Sequence, residues 1–592
     1  MRGIWGGMNS WRNSQLNCEY GKSKTAVAAQ RNGKRCTRSA AEGFSSSVSE
    51  KAGGMSISPR IRWDQISAPV SARRAFLFLS SLLLLTALLS GFAGAQTPPA
   101  NNQRQSNSQS PTQAAPGNMF ELAPPIFDLE NSYLHWPLPA SEKLYGAIDG
   151  ARIKKMVEDV AAIARQGKAD GVQYWGRIPG TKYDQETQQY ITAKFHELGL
   201  QDVRSQELPL PPQWMAKSWS LSFSQSGQQI PLAATFPMGR SPSTPAGGVD
   251  LPLIWVGLGT AADFAGRDVH GKAVVIYSIP EPSVFTQSAT LVDSLKRAQQ
   301  NGAAAILVSL AIPGNVTAQM NSNSPLTVPG FCIGMEDGAK LRGAIEAAQE
   351  GTVPKIHIAL DAGMVEGLKS ANIWGTLPGM TDENILVISH MDSYFEGASD
   401  NASGIATMLS LAEFYSKIPK SQRKRTITFV GTGAHHAGSP GTAWMHENMQ
   451  PFFAKTALIL NCEHTAETEI YYWGRPPVIR KSTSSSGVRM FAINGGRQLD
   501  DIVVKSLQTF GVGTLAQPEL NSPGDMSHIF RDAPALQTIN IPVQYHTDMD
   551  TMALIPAPGL EATARAYAKI IDEVNRLDLK SLRADSPARG TQ

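Results

Sequence analysis

Histidines are concentrated in one stretch of this sequence. Seven of the eleven lie between residues 390 and 546, and two of them, His435 and His436, are adjacent in the segment GTGAHHAGSPGT (431–442). Neighbouring side chains on an extended chain point to opposite faces, so packing alone does not explain an adjacent pair just after the strand-like run TITFV. Imidazole exchanges protons near neutral pH and binds metals. The pair therefore marks a place where chemistry is expected.

The informative residues share one position relative to the predicted strands. His390 and Asp392 follow NILVIS, His435 and His436 follow TITFV, Glu463 and His464 follow TALILN, and His546 follows LQTINIPV. Asp400, in GASDNASG, opens the helix predicted after NILVIS and faces the same rim. Ligands of open α/β sheets bind outside the carboxyl ends of the strands. We therefore expect these groups to converge on one crevice.

Imidazole nitrogens and carboxylate oxygens are zinc ligands, and one carboxylate can bridge two metal ions. We expect Asp400 to be such a bridge. Each residue alone also has an ordinary explanation, since Asp400 is compatible with a helix cap and a lone His390 or His546 is more often a loop residue than a ligand. Their joint occurrence at four strand ends favours a metal site. Four histidines with no partner in view are expected to be ordinary: His196, His270, His357 and His446.

The elements that must position these residues are an alternation of strands and helices from residue 384 onward, which predicts an α/β sheet with helices on its faces. Apolar residues at helical spacing predict two earlier helices, over 148–166 and 183–200. Between 240 and 365 the sequence changes to short apolar runs separated by Gly, Pro and Asn, with one helical stretch at 291–302. This texture predicts a separate β-rich insert.

The N-terminal region is predicted to direct export. Residues 76–92 are apolar, are preceded by Arg73 and Arg74, and are followed by Ala93-Gly94-Ala95, which is typical of a cleaved signal peptide at about 73–95. An uncleaved membrane anchor is the alternative. The predicted segments are a disordered extension or a stretch upstream of the true start (1–54), the signal peptide (55–95) and a disordered linker (96–140). The mature protein is expected to be secreted or periplasmic.

Composition sets further bounds on the 592-residue chain. It is 42% hydrophobic and 17% charged, with a formal net charge of +3, which is ordinary for a globular protein of two or three domains. We therefore predict neither a nucleic-acid nor a membrane-surface partner. Beyond residue 95 the only cysteines are Cys332 and Cys462, in different predicted units, so no disulfide is expected. The sequence leaves the oligomeric state open.

Three segments resemble a known family. HMD (390–392), GASDNASG (397–404) and YHTDMDT (545–551) are similar to motifs of the di-zinc aminopeptidase and glutamate-carboxypeptidase-type metallopeptidases. GRIPGT (176–181) is similar to a segment near the start of that family's catalytic domain, and the insert, with DVHGKAVVI and VPGFCIGMEDG, resembles a protease-associated (PA) domain. The implied fold is α/β, a mixed central sheet flanked by helices with an inserted PA domain. The implied parts are catalytic segments 141–239 and 366–578, a PA-like insert 240–365 and a tail 579–592.

The resemblance also implies roles for individual residues. His390 and Glu463 would hold one zinc ion, His436 and His546 the other, and Asp400 would bridge both. Asp392 would orient His390, and Tyr545 would donate its phenol hydrogen to the developing oxyanion. The implied activity is hydrolysis of a peptide substrate by metal-activated water, as an exopeptidase with two zinc ions. The insert supplies none of these ligands, so it is expected to be dispensable for zinc binding.

One motif departs from the family pattern. The family has E-E-x-G-x-x-G-S where this chain has HHAGSPGT, so His435 stands at the position of the general base and His436 at that of a ligand. Glu463 likewise replaces the usual aspartate. Neutral imidazole binds zinc and accepts protons near neutral pH, which favours an enzyme. Loss of the glutamate base favours a catalytically degenerate relative with a binding role.

A serine hydrolase is the third interpretation, because AGSPG (437–441) is close to the G-x-S-x-G nucleophile motif. It lacks the first glycine, having Ala437 there. Pro440 also stands where a helix would already be running. These two departures disfavour it.

Overall fold

The computed structural model describes residues 132–584, apart from residues 226, 282–286, 323–324, 349–351, 474–477, 485–486 and 520. The predicted extension, the predicted signal peptide, residues 96–131 of the predicted linker and the end of the predicted tail lie outside the described residues. Within the described ranges, no helix is both long and apolar enough to cross a membrane.

Two large β-sheets organise the described chain. The strands are β1 (Gln201–Pro209), β2 (Gln213–Gln225), β3 (Gln228–Pro231), β4 (Thr235–Pro237), β5 (Val249–Trp255), β6 (Ala273–Ser278), β7 (Ala305–Leu310), β8 (Gly330–Ile333), β9 (Lys355–Val365), β10 (Lys369–Leu377), β11 (Asn384–His390), β12 (Thr426–Thr432), β13 (Thr456–Cys462), β14 (Ile470–Trp473), β15 (Val478–Lys481), β16 (Val488–Asn494), β17 (Gly513–Thr514) and β18 (Ala535–Ile539). Strands β14 and β15 form a separate hairpin.

Helices connect and cover these strands. They are α1 (Gly150–Ala169), α2 (Lys182–Glu197), α3 (Ala261–Phe264), α4 (Ser288–Leu291), α5 (Ser294–Gln300), α6 (Met335–Glu346), α7 (Gly404–Ser416), α8 (Pro440–Asn448), α9 (Gln450–Phe453), α10 (Arg497–Thr509), α11 (Ala557–Arg576) and α12 (Leu579–Ala584). The two helices predicted before residue 200 correspond to α1 and α2. The single helical stretch predicted at 291–302 is instead interrupted, because Asp293 has a left-handed φ of 54° and separates α4 from α5.

The first sheet has the order β1-β10-β12-β11-β13-β18-β16-β17. Its central strands β12, β11, β13 and β18 are parallel neighbours. Strand β10 pairs antiparallel with β1 and β12, and β16 pairs antiparallel with β18 but parallel with β17. Parallel strands have both faces covered, so they read as continuous apolar runs, as NILVIS and TALILN do. The predicted α/β fold with a mixed central sheet is confirmed.

The faces of this sheet have separate cores, as the pleat requires. Ile385 and Val387 pack into a cluster with apolar residues of α1, α2, α7, α10 and α11. Their neighbours Leu386 and Ile388 pack on the opposite face against Met445 of α8 and residues that include Phe453 of α9. The predicted helices therefore lie on both faces of the sheet, and the carboxyl ends of the parallel strands stay open.

The second sheet has the order β3-β2-β9-β5-β6-β7-β8-β4. It extends from Gln213 to Val365, so β2, β3 and β4 belong to it although they precede the predicted boundary at residue 240. Its two faces carry their own clusters of buried apolar residues. Cys332 lies in this sheet and Cys462 in the first; both are buried and free, as predicted.

Candidate metal centre

The carboxyl ends of three parallel strands bring the predicted site residues to one edge of the first sheet. His390 is the last residue of β11, His435 and His436 lie in a short 3-10 turn after β12, and Glu463 directly follows β13. His546 approaches the same edge from the loop after β18. All five predicted ligands, including Asp400, are thereby brought together, as the strand-end argument predicted.

Asp400 lies at the middle of this cluster and is 2% exposed. Its Oδ1 is 3.2 Å from His390 Nε2 and 3.2 Å from His464 Nε2. Its Oδ2 is 3.2 Å from His546 Nε2 and 3.4 Å from His436 Nε2. Each oxygen of one carboxylate therefore faces its own pair of imidazole nitrogens.

The backbone around Asp400 is held by groups outside the cluster. Asp400 precedes α7 in the short turn Ala398–Ser403, where Asp400 and Asn401 themselves have non-helical φ and ψ. The Asp550 carboxylate accepts hydrogen bonds from the backbone N–H of Ser399 at 2.7 Å and of Asp400 at 3.0 Å. These bonds orient the turn so that the Asp400 side chain points at the histidines.

Arg177, from the GRIPGT segment, binds the backbone of the loop between β11 and the turn at Ala398–Ser403. Its guanidinium is fully buried and donates to the backbone carbonyls of Met391 at 3.0 Å, Glu396 at 3.0 Å and Gly397 at 3.1 Å. A buried guanidinium needs such acceptors because an unpaired buried charge is costly. The segment at 176–181 therefore positions the loop that separates His390 from Asp400.

Left-handed backbone conformations recur at the corners of the cluster. Ala434 (φ 63°), Ser439 (φ 54°), His464 (φ 46°) and His546 (φ 56°) all adopt them. Such conformations cost free energy for residues other than glycine and tend to collect at functional sites. At His464 and His546 the imidazoles of these residues face Asp400.

Glu463 and His435 lie on the His390 side of the cluster. Glu463 Oε1 is 3.9 Å from His390 Nε2, and its Oε2 accepts a 2.7 Å hydrogen bond from Asn461. The His435 ring centroid is 4.4 Å from that of His390, and His435 Nδ1 is 2.9 Å from Ser439 Oγ. His435 is thus held beside the predicted ligands with one nitrogen already engaged.

Asp392, predicted to orient His390, lies between two histidines and contacts His436 more closely than His390. Its carboxylate accepts the backbone N–H groups of His435 and His436 at 2.8 Å each and lies 2.6 Å from His436 Nδ1. The nearest carboxylate oxygen is 3.7 Å from His390 Nδ1, which instead contacts the Asp392 backbone carbonyl at 3.2 Å. Asp392 therefore chiefly orients His436, because the turn after β12 folds back over it.

The charges of the cluster are strongly coupled. Burial alone would raise the pKa of Asp400, but the imidazoles around it, His436 foremost, hold that pKa well below its ordinary value. Burial opposes protonation of His436 as well, yet Asp392 and Asp400 raise its pKa to about 9. Burial, with the neighbouring His390 and His436, keeps the pKa of His435 well below its ordinary value. His435 is therefore neutral, as is His546, whose pKa burial lowers to about 4.

Two tyrosines border the histidines. The Tyr545 ring centroid lies 4.0 Å from that of His546 and 5.1 Å from that of His464, which places the predicted phenol donor beside the cluster. Tyr394 was not predicted, although only Ser393 separates it from HMD (390–392). Its ring centroid is 4.9 Å from those of both His436 and His546.

His464 is the main residue that the motif assignment left out. The sequence placed it at the same strand end as Glu463, but the family resemblance assigned only Glu463 to the metal. In the structure its Nε2 faces Asp400, while its Nδ1 is 2.6 Å from the backbone carbonyl of Asn540. By contrast, His446 is about half exposed and pairs with Asp532, as expected for an ordinary histidine.

The serine-hydrolase interpretation is not supported by the contacts of Ser439. Both Ser439 Oγ, at 2.9 Å, and Asp525 Oδ1, at 3.9 Å, approach the same nitrogen of His435, Nδ1. A catalytic triad needs the serine on one ring nitrogen and the carboxylate on the other. Ser439 and Asp525 therefore orient His435, and the triad relay is absent.

The cluster fits a divalent metal. Four overlapping groups of side chains have their ligand atoms within 4.8 Å of one another: His390 with Asp400 and His464, Asp400 with His436 and His546, His390 with His435 and Glu463, and His390 with Asp392 and His436. His390 Nε2 is buried without a hydrogen-bond partner, although it points at these oxygens. Two imidazoles and a carboxylate form a donor set that zinc accepts.

Comparison with known proteins places this cluster in a family. The sequence model of peptidase family M28 matches residues 372–571, the range that contains Asp400 and every histidine around it. Residues 372–571 thus match peptidase family M28 and are called the M28 domain from here on. The second sheet lies before the matched range, as do α1, α2 and the Arg177 segment.

Proteins similar to this chain include Aminopeptidase YwaD of Bacillus subtilis, 27% identical over 273 residues, which are 45% of this chain and 53% of YwaD. Minor extracellular protease Vpr of the same organism is 29% identical over 111 residues, 19% of this chain and 12% of Vpr. The chain thus spans about half the length of YwaD and a smaller share of Vpr.

Solved structures share the fold. BSAP, a zinc aminopeptidase from Bacillus subtilis, matches with a TM-score of 0.53 at 18% identity, covering 74% of this chain and 99% of that chain. A peptidase M28 precursor from Shewanella amazonensis also matches with a TM-score of 0.53 at 18% identity, over 73% and 99% of the two chains. At this identity the likeness establishes the fold of the M28 domain and its surroundings.

Proposed function

We propose that this protein is a zinc-dependent peptidase of the aminopeptidase type that holds two metal ions. The observation that carries the proposal is the Asp400 carboxylate, whose two oxygens each face a separate pair of imidazole nitrogens at 3.2–3.4 Å. His390, Glu463 and His464 would hold one ion, and His436 and His546 the other. When bound, zinc supplies a Lewis acid that activates water and polarises a peptide carbonyl.

The chain's own residues would manage the protons of this reaction. His435 accepts the proton of the attacking water, because it is kept neutral and Ser439 engages its Nδ1, which leaves Nε2 for proton transfer. Asp392 holds His436 as a ligand by accepting from its Nδ1. Tyr545, next to His546, donates a hydrogen bond to the oxyanion that develops on the substrate.

A non-catalytic binding role is the second candidate function. It is favoured by the absence of a carboxylate at position 435, where the resembled family has its general base. In that case the metal centre would remain as a structural or ligand-binding feature.

The test compares hydrolysis of an aminoacyl p-nitroanilide with that of its N-acetylated analogue, together with zinc content by mass spectrometry. Wild type is expected to cleave only the free-amine substrate. His435→Ala should lower turnover by about 10²–10⁴, the usual contribution of general acid–base catalysis, at unchanged zinc content, whereas His436→Ala should lose metal. Full zinc loading without hydrolysis across a peptide library would establish the binding role instead.

The setting of the enzyme is part of the same proposal. Residues 73–95 act as a signal peptide, so the mature protein starts near Gln96 outside the cytoplasm, and the second sheet is a PA-like insert. The apolar run and the A-x-A pattern support export. N-terminal sequencing of the protein from the culture medium or periplasm should begin at Gln96; an intact N-terminus in a membrane fraction would indicate an anchor.

A further inference from the structure

A segment that connects two strands of the second sheet reaches the metal centre. Between β7 and β8, residues 317–319 pair with residues 546–548, the loop that carries His546. The backbone N–H of Gln319 donates to the His546 carbonyl at 2.9 Å, and the N–H of Asp548 donates to the Thr317 carbonyl at 2.9 Å. The Thr317 N–H in turn donates to the Asp548 carboxylate at 3.0 Å. This short antiparallel pairing, centred on Ala318 and Thr547, fixes the loop.

Gln319 extends this pairing to the imidazole itself. Its side chain is 1% exposed, and its Oε1 lies 2.9 Å from His546 Nδ1. Its Nε2 donates to Asn321 Oδ1 at 3.0 Å. The amide is therefore engaged at one end by His546 of the M28 domain and at the other end by Asn321, which lies outside that domain. A buried amide engaged at both ends has one preferred orientation.

That orientation decides which nitrogen of His546 faces the cluster. An Oε1 acceptor requires hydrogen on Nδ1, which leaves the lone pair on Nε2. Nε2 is the nitrogen that lies 3.2 Å from Asp400 and 2.9 Å from His436 Nε2. Hydrogen bonds of this kind to a ligating histidine fix its tautomer and ring direction and raise its basicity.

We infer that Gln319 is a positioning residue of the metal centre, and that the centre is therefore completed by the domain formed by the second sheet. The inference rests on the proposed metal centre. Gln319 makes His546 a ready ligand through Nε2, and the pairing of residues 317–319 with 546–548 sets the position from which it does so. The sequence analysis expected this domain to be dispensable for zinc binding; under the present inference the domain supplies no ligand but positions one.

The test measures zinc affinity of the purified full chain by competition with a chelator. Gln319→Met keeps the side-chain size but removes the acceptor, and should weaken one of the two sites about tenfold to a hundredfold. Gln319→Glu keeps an acceptor and should restore wild-type affinity. The exposed Gln300→Met, in the same domain, is the matched control and should leave affinity unchanged. Equal affinity in Gln319→Met and wild type, or an equal loss in both Gln319 variants, overturns the inference.

A second measurement needs neither metal nor a folded variant. In the metal-free wild type labelled with ¹⁵N-histidine, His546 should carry its hydrogen on Nδ1; hydrogen on Nε2 alone overturns the inference. Wild type that binds no zinc but shows the Nδ1–H form contradicts the proposed function while supporting the role of Gln319. If wild type binds zinc but its metal-free form carries hydrogen on Nε2 alone, the result supports the proposed function and contradicts the role of Gln319.

Discussion

His464 shows how a single residue changes the expected chemistry of the centre. With it, the Oδ1 side of Asp400 has two imidazoles, His390 and His464, in addition to Glu463. The Oδ2 side has His436 and His546. Each side of Asp400 therefore has two imidazoles, and Glu463 adds a second carboxylate on the Oδ1 side only. A metal held on the Oδ2 side would have less compensating negative charge, which would favour a lower pKa of water bound to it.

Removing the His464 imidazole should reduce the amount of zinc that the protein retains. His464→Ala is expected to weaken the site shared with His390 by more than about a hundredfold, since loss of a ligand exceeds the tenfold to hundredfold effect of losing a ligand's supporting residue. Zinc content after dialysis measures this. His446→Ala, at an exposed histidine paired with Asp532, is the matched control. If both variants retain two zinc ions, His464 is a neighbour of the metal and not a ligand.

Asp184, in the first turn of α2, should make stability depend on pH. Burial raises its pKa to about 6, against the hydrogen bond it accepts from the Gly180 N–H. The folded state therefore binds a proton more tightly than the unfolded state, and the free energy of unfolding falls as pH rises from about 4 to about 6, by up to about 3 kcal/mol. Asp184→Asn should abolish this fall.

Urea denaturation at a series of pH values measures the effect. The advantage of Asp184→Asn over wild type should grow as pH increases through about 6 and then level off. The exposed carboxylate Asp361, changed to Asn, is the control. Parallel stability curves for wild type and Asp184→Asn would mean that this carboxyl group titrates alike in both states.

At the scale of elements, α6 packs against β7 through a glycine. A Cβ built on Gly338 would lie 1.9 Å from Ser309 Oγ, and Ser309 is buried. Gly343, five residues later in the same helix, is exposed and has no atom within 4 Å of its Cβ position. One helix therefore contains a glycine required for close approach and a glycine that is not.

These two positions should respond to alanine with opposite signs. Gly338→Ala is expected to lower the free energy of unfolding by about 1–3 kcal/mol, because the overpacked helix must shift. Gly343→Ala should raise it by about 0.5–1 kcal/mol, because alanine is the better helix former and its unfolded state is less flexible. Chemical denaturation measures both, and a stabilising Gly338→Ala would contradict the close packing of α6 on β7.

The elements also show why part of the centre was predictable. Continuous apolar runs predict strands β11, β12 and β13, and the carboxyl ends of parallel strands lie at one edge of a sheet. His390, His435 and Glu463 could therefore be brought together from spacing alone. The role of His464 could not, because its direction depends on a left-handed φ at that residue. The family resemblance implied that Asp392 orients its sequence neighbour His390. In the structure the turn after β12 folds back, so that the Asp392 carboxylate contacts His436 Nδ1.

At the scale of the whole molecule, the contact of Gln319 with His546 joins residues 227 positions apart. No periodicity or motif connects two segments at such a distance, so the second sheet was expected to be independent. The sheet also begins before the predicted boundary at residue 240, because β2 and β3 carry exposed polar residues that resemble those of ordinary connecting segments.

Bound metal should stabilise the whole described chain, because its ligands come from four separate strand ends and their loops. Each ion that binds only the folded state adds about 2.7 kcal/mol when present at about 100 times its dissociation constant. A chelator should therefore lower the unfolding temperature of wild type by several degrees, as measured by calorimetry. Asp400→Asn, which removes the bridging charge, should show no such shift; an equal shift in both would place the stabilising metal elsewhere.

The distance between the residues around Asp400 has a further consequence during synthesis. Synthesis proceeds from the N-terminus, so Gln319, His390 and His436 are made before His546. Until residue 546 has left the ribosome, the Oδ2 side of Asp400 therefore has His436 but not His546. The Oδ2 side is completed only when the loop after β18 has been made and has paired with residues 317–319, which were made more than 200 residues earlier.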